Sequence, residues 1–418
     1  MNAMKPSDAY FEEALRYIPW GTQTNAKRPI PFFSGTMPKF IVRGKGCRIW
    51  DMEGKEYIDY RLALGPVTLG YCFDEVDDAV REQMTKGVLF SMASPIELEL
   101  ARRVCAMVPN ADMVRFMKTG EDANSCNVRI ARAYTKRDMI LISGYHGYPD
   151  RFAAEEGPAN GVPRFMREYV RPIPWGDCEA AEKLIRLYGE RIACVVSIGY
   201  DFNEETGGAY LRHLRKLTRQ CGALLVLDEI LTGFRLAPGG AQQYYGVDAD
   251  LAGYAKAIAN GYPLSAYCGK RKYMETLNSF KITTTYAGET LSMAAAIATL
   301  DCMTREKVHE HIWAMGRRLM DGFDRIAAEL GVAGHASGLP PASWLKFEHA
   351  DPTYPPRLEY LWHRELYREG IFANPRWFIS FSHRASDIDE TLARARTALR
   401  RALDAEVKER DSVKPFWW

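Results

Sequence analysis

Hydrophobic and polar positions alternate in two different ways along this chain. Between residues 38 and 60, in KFIVRGKGCRIWDMEGKEYIDY, aromatic and β-branched residues alternate with charged ones and Gly54 marks a reversal. That pattern predicts short strands around glycine turns, preceded by an arm punctuated with Pro and Gly. From about 61 to 300 it becomes apolar strand, glycine-containing turn and amphipathic helix, repeated, which is the grammar of an α/β domain. Strands are predicted at 114–118, 139–144, 194–199 and 223–230, the last being ALLVLDEI with no polar face. Strands apolar on both sides belong to a central, mostly parallel sheet. Beyond about 305, Arg and Glu recur at helical spacing, and Ile388, Leu392, Ala395 and Leu399 form one stripe. A smaller α+β domain closed by a solvated helix is expected there. The expected division is an N-terminal arm with small-domain strands over 1–60, a large domain over 61–304 and the C-terminal small domain over 305–418.

Composition narrows the function classes. Hydrophobic residues make up 47% and charged residues 26% of 418, an ordinary folded globular mix. Lys and Arg number 55 against 53 for Asp and Glu, so the +2 balance gives no electrostatic case for nucleic acid as a partner. Nine Cys occur without one C-x-x-C pair, which reads as reduced thiols rather than a disulfide frame. Asp8, Glu12 and Glu13 stand where a secretory signal needs an apolar run, and no stretch approaches the ~18 apolar residues of a membrane span. A cytoplasmic protein with no membrane partner is expected. His309 and His311 are two apart on a predicted helix, point to different sides and make poor joint ligands, so solvated surface is expected and no metal site.

Three positions carry candidate chemistry. In MKTGEDANSCNVRIARAY a strand ends at Lys118, Thr119-Gly120 turns the chain, and a helix follows whose apolar stripe is Ala123, Cys126, Ile130 and Ala133. Free N–H groups at such a helix start suit a phosphate, although a plain capped helix gives the same pattern. Asp228 and Glu229 end the apolar ALLVLDEI strand, where α/β proteins bind ligands. An anion buried there needs a cation nearby, unless Asp228 merely caps the following turn. Lys256 sits among Gly253, Ala255, Ala257 and Gly261, surroundings that can turn a lysine into a carbonyl nucleophile.

Together these stretches resemble the class III (ω-type) pyridoxal-phosphate aminotransferases of fold type I, nearest the glutamate-1-semialdehyde aminomutase-like branch, from about residue 20 to 400. The family's N-S-G-T-E-A is similar to Lys118-Thr119-Gly120-Glu121-Asp122-Ala123, and its Y-H-G to Tyr145-His146-Gly147. Its D-E-V-x-T-G-F-R is similar to the run from Asp228 to Arg235, Lys256 follows at the family's spacing, and T-F-G-G-N-P resembles the run from Thr285 to Thr290. The resemblance implies pyridoxal 5'-phosphate as cofactor, held on Lys256 as a Schiff base, with Lys256 then shuttling the substrate proton. It implies that Asp228 pairs with the pyridine N–H, Tyr145 stacks on the ring with Ile230 opposite, and His146 belongs to the cofactor site. Thr119 and the Gly120 and Glu121 amides would take the phosphate, and Thr285 would reach it from the partner of a homodimer with shared sites. Trp20 and Thr22 would line the substrate entrance. Arg376, in NPRWF, is a candidate for a substrate carboxylate, with a structural ion pair as the alternative.

Departures fall at three places. Glu121 replaces a Thr, so its amide should serve the phosphate while its carboxylate points away. The family's E-P-V corresponds to Ile198-Gly199-Tyr200, with Asn203 left to bond near the cofactor's phenolic oxygen, and Asn-Pro of T-F-G-G-N-P becomes Glu289-Thr290. The resulting expectation is an enzyme moving an amino group from a donor such as glutamate to an aldehyde or ketone, with a carbonyl sugar as one acceptor class. The alternatives are intramolecular transfer of the aminomutase type and a non-enzymatic member of the fold, which intact Asp228, Lys256 and Tyr145 disfavour.

Overall fold

The computed structural model describes residues 5–154, 160–202, 204–348 and 357–408. Contacts divide the chain into two compact units, one of Met1–Leu64, Leu69–Phe73 and Glu310–Trp418, the other of Gly65–Thr68 and Asp74–His309. The first unit opens with the helix Pro6–Tyr17 and an antiparallel meander of β1 (Ile41–Lys45), β2 (Arg48–Asp51) and β3 (Glu56–Asp59). Gly54, at φ 82°, sits in the β2–β3 turn, and Asp51 Oδ1 accepts the Glu53 and Lys55 amides to close it.

The second unit is built on a seven-stranded sheet. Its strands are β4 (Met113–Met117), β5 (Met139–Ser143), β6 (Val170–Pro172), β7 (Ile192–Ile198), β8 (Leu224–Asp228), β9 (Leu251–Tyr254) and β10 (Ser265–Gly269), in the order β4-β10-β9-β8-β7-β5-β6. Every residue of β5, β8, β9 and β10 is buried, as expected for strands covered on both faces. The sheet is mixed rather than parallel throughout. β5–β9 run parallel, while β10 is antiparallel to both β9 and β4. Two reversals restore direction, so β4 points the same way as β5, β6, β7, β8 and β9, and all six end on one edge. SAYCG in β10 gave no strand signal in the pattern, because small residues carry its burial. The helix Gly120–Thr135 covers one face with Ala123, Cys126, Val128, Ile130 and Ala131, whereas Ala133 is half-exposed.

The remainder of the first unit contains β11 (Gly334–Leu339), β12 (Ala342–Phe347), β13 (Ile371–Phe372) and β14 (Arg376–Phe378). β13 adds to β3 in parallel, and β11-β12-β14 form an antiparallel sheet. Its core stacks Trp362 on Trp377 with centroids 5.8 Å apart, flanked by Phe323 and Phe347. The last helix, Ala385–Lys408, buries Ile388, Ala395, Ala398, Leu399 and Ala402 and leaves Thr397, Arg400 and Arg401 in water, so it is solvated on one face only.

Candidate active site

Because six strands of the second unit end on one edge, the residues that follow them collect there. Thr119 comes after β4, Tyr145 and His146 after β5, Ile198 closes β7, Asp228 closes β8 and Lys256 follows β9. In open α/β sheets that edge is where ligands bind.

Asp228 is the electrostatic centre. It is nearly fully buried, and its Oδ2 accepts from Asn124 Nδ2 at 2.7 Å and lies 2.7 Å from His146 Nδ1. Its Oδ1 accepts from the Ile230 amide at 3.0 Å. A carboxylate only accepts, so Nδ1 of His146 carries the proton of that bond. Instead of a Lys or Arg, the partners are a buried imidazole and a carboxamide, which fix the anion by hydrogen bonds. His146 Nε2 and Asn124 Oδ1 are buried and have no hydrogen-bond partner among the described residues. Asn124 was missed in the sequence, although Asn124 and Asn127 interrupt an otherwise apolar helix face three residues apart and are wholly buried. Gly253 stands opposite Asp228 in the β8–β9 register, and a Cβ there would come within 2.5 Å of Asn124 Oδ1. Only glycine leaves room for Asn124 to reach the carboxylate.

Glu229 has a different task from its neighbour. Fully buried, it accepts the Thr232 hydroxyl and the Ala241 and Gln242 amides at 2.8 Å each, and burial pushes its carboxyl up to about 7 despite them. It ties the stretch after β8 to the start of the helix Ala241–Tyr245. Arg235, at the end of the same run, is buried and donates to Gly65 O and to Thr68 Oγ1 at 2.8 Å, and burial lowers its pKa to about 9.

The turn after β4 is a capping box. Asp122 N donates to Thr119 Oγ1 at 3.4 Å, while the Thr119 amide and hydroxyl both donate to Asp122 Oδ2, at 3.1 and 2.7 Å. With Asp122 N so engaged, the Gly120 and Glu121 amides are the first-turn donors that the helix itself does not use. Gly120 is required by packing: a Cβ there would stand 2.5 Å from Ile230 Cδ1. Lys118, just before the turn, is bonded at 2.7 Å to Glu289, and both side chains are largely buried. Glu289 also caps the helix Thr290–Arg305 by accepting from the Leu291 and Ser292 amides. Burial raises its pKa, but the bonds from Lys118 and Ser292 outweigh that and hold it below the ordinary carboxylate value. Thr290 is fully buried and bonds Gly87 O and Val88 O. The departures at Glu289 and Thr290 therefore serve internal structure, with Lys118 as the partner of Glu289.

Lys256 is half-buried at φ 42°, between buried Ala255 and Ala257. Tyr145 is 81% exposed and Ile230 half-buried. Thr285 opens the exposed turn Thr285–Gly288. Glu121 is half-buried, its Cβ 2.8 Å from where a Gly147 Cβ would stand. Asn203 lies outside the described residues. Trp20, Thr22 and Arg376 belong to the first unit. Trp20 is half-exposed at φ 65° with Arg28 over its ring at 5.5 Å, Thr22 is half-buried, and Arg376 is exposed at the start of β14. His309 and His311 are not solvated surface. His309 Nε2 lies 3.1 Å from Phe234 O and burial lowers its pKa to about 4, while His311 Nε2 lies 2.7 Å from His383 O. They do point to different partners, and among the described residues no His, Cys, Asp and Glu group could hold a metal. The nine cysteines are free, and no described helix is long and apolar enough to cross a membrane.

A buried, hydrogen-bonded carboxylate, a lysine on the next strand's exit and a helix start with unused amides fit a cofactor with a ring nitrogen, an aldehyde and a phosphate. This is the fold and donor set of a fold type I pyridoxal-phosphate enzyme. Residues 33–335 match the family model for class-III aminotransferases, and the chain belongs to that family. It is 34% identical to a glutamate-1-semialdehyde 2,1-aminomutase of Sulfurihydrogenibium azorense, over 95% of this chain and 99% of that protein. It is 32% identical to a 3-aminobutyryl-CoA aminotransferase of Cloacimonas acidaminovorans, over 96% and 97%. Among solved structures, the PLP internal aldimine form of the FumI protein of Sphingopyxis sp. MTA144 superposes with a TM-score of 0.89 at 29% identity, covering 98% of each chain. The chain is thus a pyridoxal 5'-phosphate-dependent enzyme.

Proposed function

We propose that the protein is an intermolecular aminotransferase, moving an amino group from a donor such as glutamate to an aldehyde or ketone acceptor, with carbonyl sugars among the acceptor classes. The observation that supports amino-group chemistry on this cofactor is the Asp228 carboxylate, buried at the end of β8 and held by Asn124, His146 and the Ile230 amide, and likeness to a 3-aminobutyryl-CoA aminotransferase supports transfer between two molecules. When bound, pyridoxal 5'-phosphate supplies a carbon that accepts the amine and a protonated ring that withdraws electrons from the substrate carbon.

The chain's own residues do the rest. Asp228 accepts the ring N–H, and three donors keep its carboxylate from turning away. Lys256 Nζ would hold the cofactor and would move the proton at the substrate carbon. Tyr145 and Ile230 would cover the two ring faces, and His146 braces Asp228. The Gly120 and Glu121 amides, with the Thr119 hydroxyl, would take the phosphate. Trp20, Thr22 and Arg376 are substrate-side residues, Arg376 for a carboxylate.

Thr285 serves the partner's site in a homodimer. Supporting this, its exposed turn is tied through Thr290, whose amide donates to Val88 O at 2.9 Å, to a segment that leaves Met84, Val88, Leu89, Phe90 and Met92 in water. An exposed apolar run of that kind is an association surface. The cytoplasm fits nine free thiols.

Likeness to aminomutases keeps intramolecular transfer as the second reading. Supplying glutamate-1-semialdehyde without any donor separates the two. No isomerisation is expected; isomerisation at a rate matching donor-dependent turnover would favour the mutase.

A further inference from the structure

A cavity of about 340 Å³ lies wholly within the first unit. Its walls are the start of the helix Pro6–Tyr17, the segment 34–39, the β2–β3 turn and the end of the helix Arg357–Arg368. Among the described residues that line it, none is assigned above to cofactor or substrate. The carboxylates in its wall are already engaged. Asp8 Oδ1 lies 2.7 Å from Lys39 Nζ. Asp51 accepts the Glu53 and Lys55 amides on Oδ1 and the Tyr57 hydroxyl on Oδ2, and Glu53 Oε1 accepts the Ser7 amide at 3.0 Å. The Arg368 guanidinium is paired with Glu365 at 2.5 Å. Two cations of the wall are left with neutral partners. Lys5 Nζ donates to Gly35 O at 3.3 Å, and Lys55 Nζ donates to Tyr367 O at 2.7 Å and to Arg368 O at 2.9 Å. Neither lysine makes an ion pair among the described residues.

An ammonium group carries three donors, so these bonds leave Lys55 one and Lys5 two for a further acceptor. The two charges also feel each other. Burial lowers the pKa of half-buried Lys55, Asp51 opposes that, and Lys5 and Arg368 push it down again. Like charges held at one cavity repel unless an anion stands between them. Lysine meets an anion as a point charge and is a common phosphate ligand, whereas a carboxylate favours the planar fork of arginine, which here is turned to Glu365. Met37 and Pro38 add an apolar side to the wall. The volume falls in the range of roughly 300–1,000 Å³ found for small-molecule pockets, so there is room for an organic group beside the charge.

We propose that this cavity binds a phosphate monoester of a small organic molecule, with the phosphate between Lys5 and Lys55. The inference goes beyond the aminotransferase reading and does not rest on it. Lys5 and Lys55 are binding residues and take no part in the transfer of the amino group.

The test uses the holoenzyme, so that the cofactor fills its own phosphate site. Glycerol 3-phosphate and acetate are titrated calorimetrically into the native protein and into Lys5→Met, Lys5→Arg and Lys55→Met. Glycerol 3-phosphate should bind the native protein, and acetate should bind about tenfold more weakly or not at all. Lys5→Met and Lys55→Met should each weaken glycerol 3-phosphate about tenfold, as befits the loss of one charge-assisted contact, while Lys5→Arg keeps the charge and most of the affinity. Lys5 is exposed, so its two variants carry the test if Lys55→Met, which also loses two carbonyl bonds, fails to fold. Absence of glycerol 3-phosphate binding to the native protein, acetate binding as tight as that of the phosphate ester, or undiminished affinity in folded, cofactor-loaded Lys5→Met would overturn the inference.

Discussion

Replacing Lys256 with alanine should abolish turnover and release the cofactor from covalent attachment. Lys256 lies half-buried between Ala255 and Ala257 on the exit of β9, three residues beyond the Gly253 that pairs with Asp228. Proton transfer by a positioned side chain is worth roughly 10²–10⁴ in rate, and the attachment role adds to that loss. Borohydride treatment of the native protein followed by peptide mass analysis should find the cofactor on Lys256. A stable reduced adduct on another lysine would contradict the assignment. The same variant tests the shared site. Mixing inactive Lys256→Ala chains with inactive Thr285→Ala chains gives heterodimers in which one site carries both lesions and the other carries neither. Partial recovery of activity is expected, and none, with heterodimers confirmed, would return Thr285 to its own subunit's site or exclude it from both.

Asp228→Asn should leave the protein folded and cofactor-bound while slowing proton abstraction by about 10³-fold, which is roughly 4 kcal/mol of barrier. Three donors converge on the two oxygens of Asp228. An amide offers one oxygen and one NH2, so at least one donor must face another, at about 1–3 kcal/mol of stability. The catalytic loss thus exceeds the structural one. A thermal unfolding scan beside a single-turnover rate separates them. Near-normal turnover with cofactor bound would remove Asp228 from its assigned role.

Much of this site lies in local signals. β8 announces itself because ALLVLDEI has no polar face, and the charged pair at its end marks the sheet edge. The Lys118–Ala123 turn is legible because a capping residue and glycine separate strand from helix. What local patterns cannot carry is pairing across long separations. Asn124 meets Asp228 across 104 residues and Lys118 meets Glu289 across 171, and only the folded sheet brings either pair together. The antiparallel β10 escaped for another reason: its burial rests on Ser, Ala, Cys and Gly beside one Tyr, which give weak strand propensity. His309 looked solvated because its neighbours are polar, yet its ring nitrogen reaches a backbone carbonyl of the Asp228–Arg235 run.

The central claim is that this chain transfers an amino group between two molecules in separable halves. Native holoenzyme mixed with glutamate alone, and followed by absorbance and by assay of the released oxo acid, tests it most directly. The account predicts loss of the cofactor's aldehyde-form absorbance with one 2-oxoglutarate released per site, reversed on adding a carbonyl acceptor. No spectral change and no 2-oxoglutarate with glutamate or other amino donors, in protein that isomerises glutamate-1-semialdehyde unaided, would contradict it.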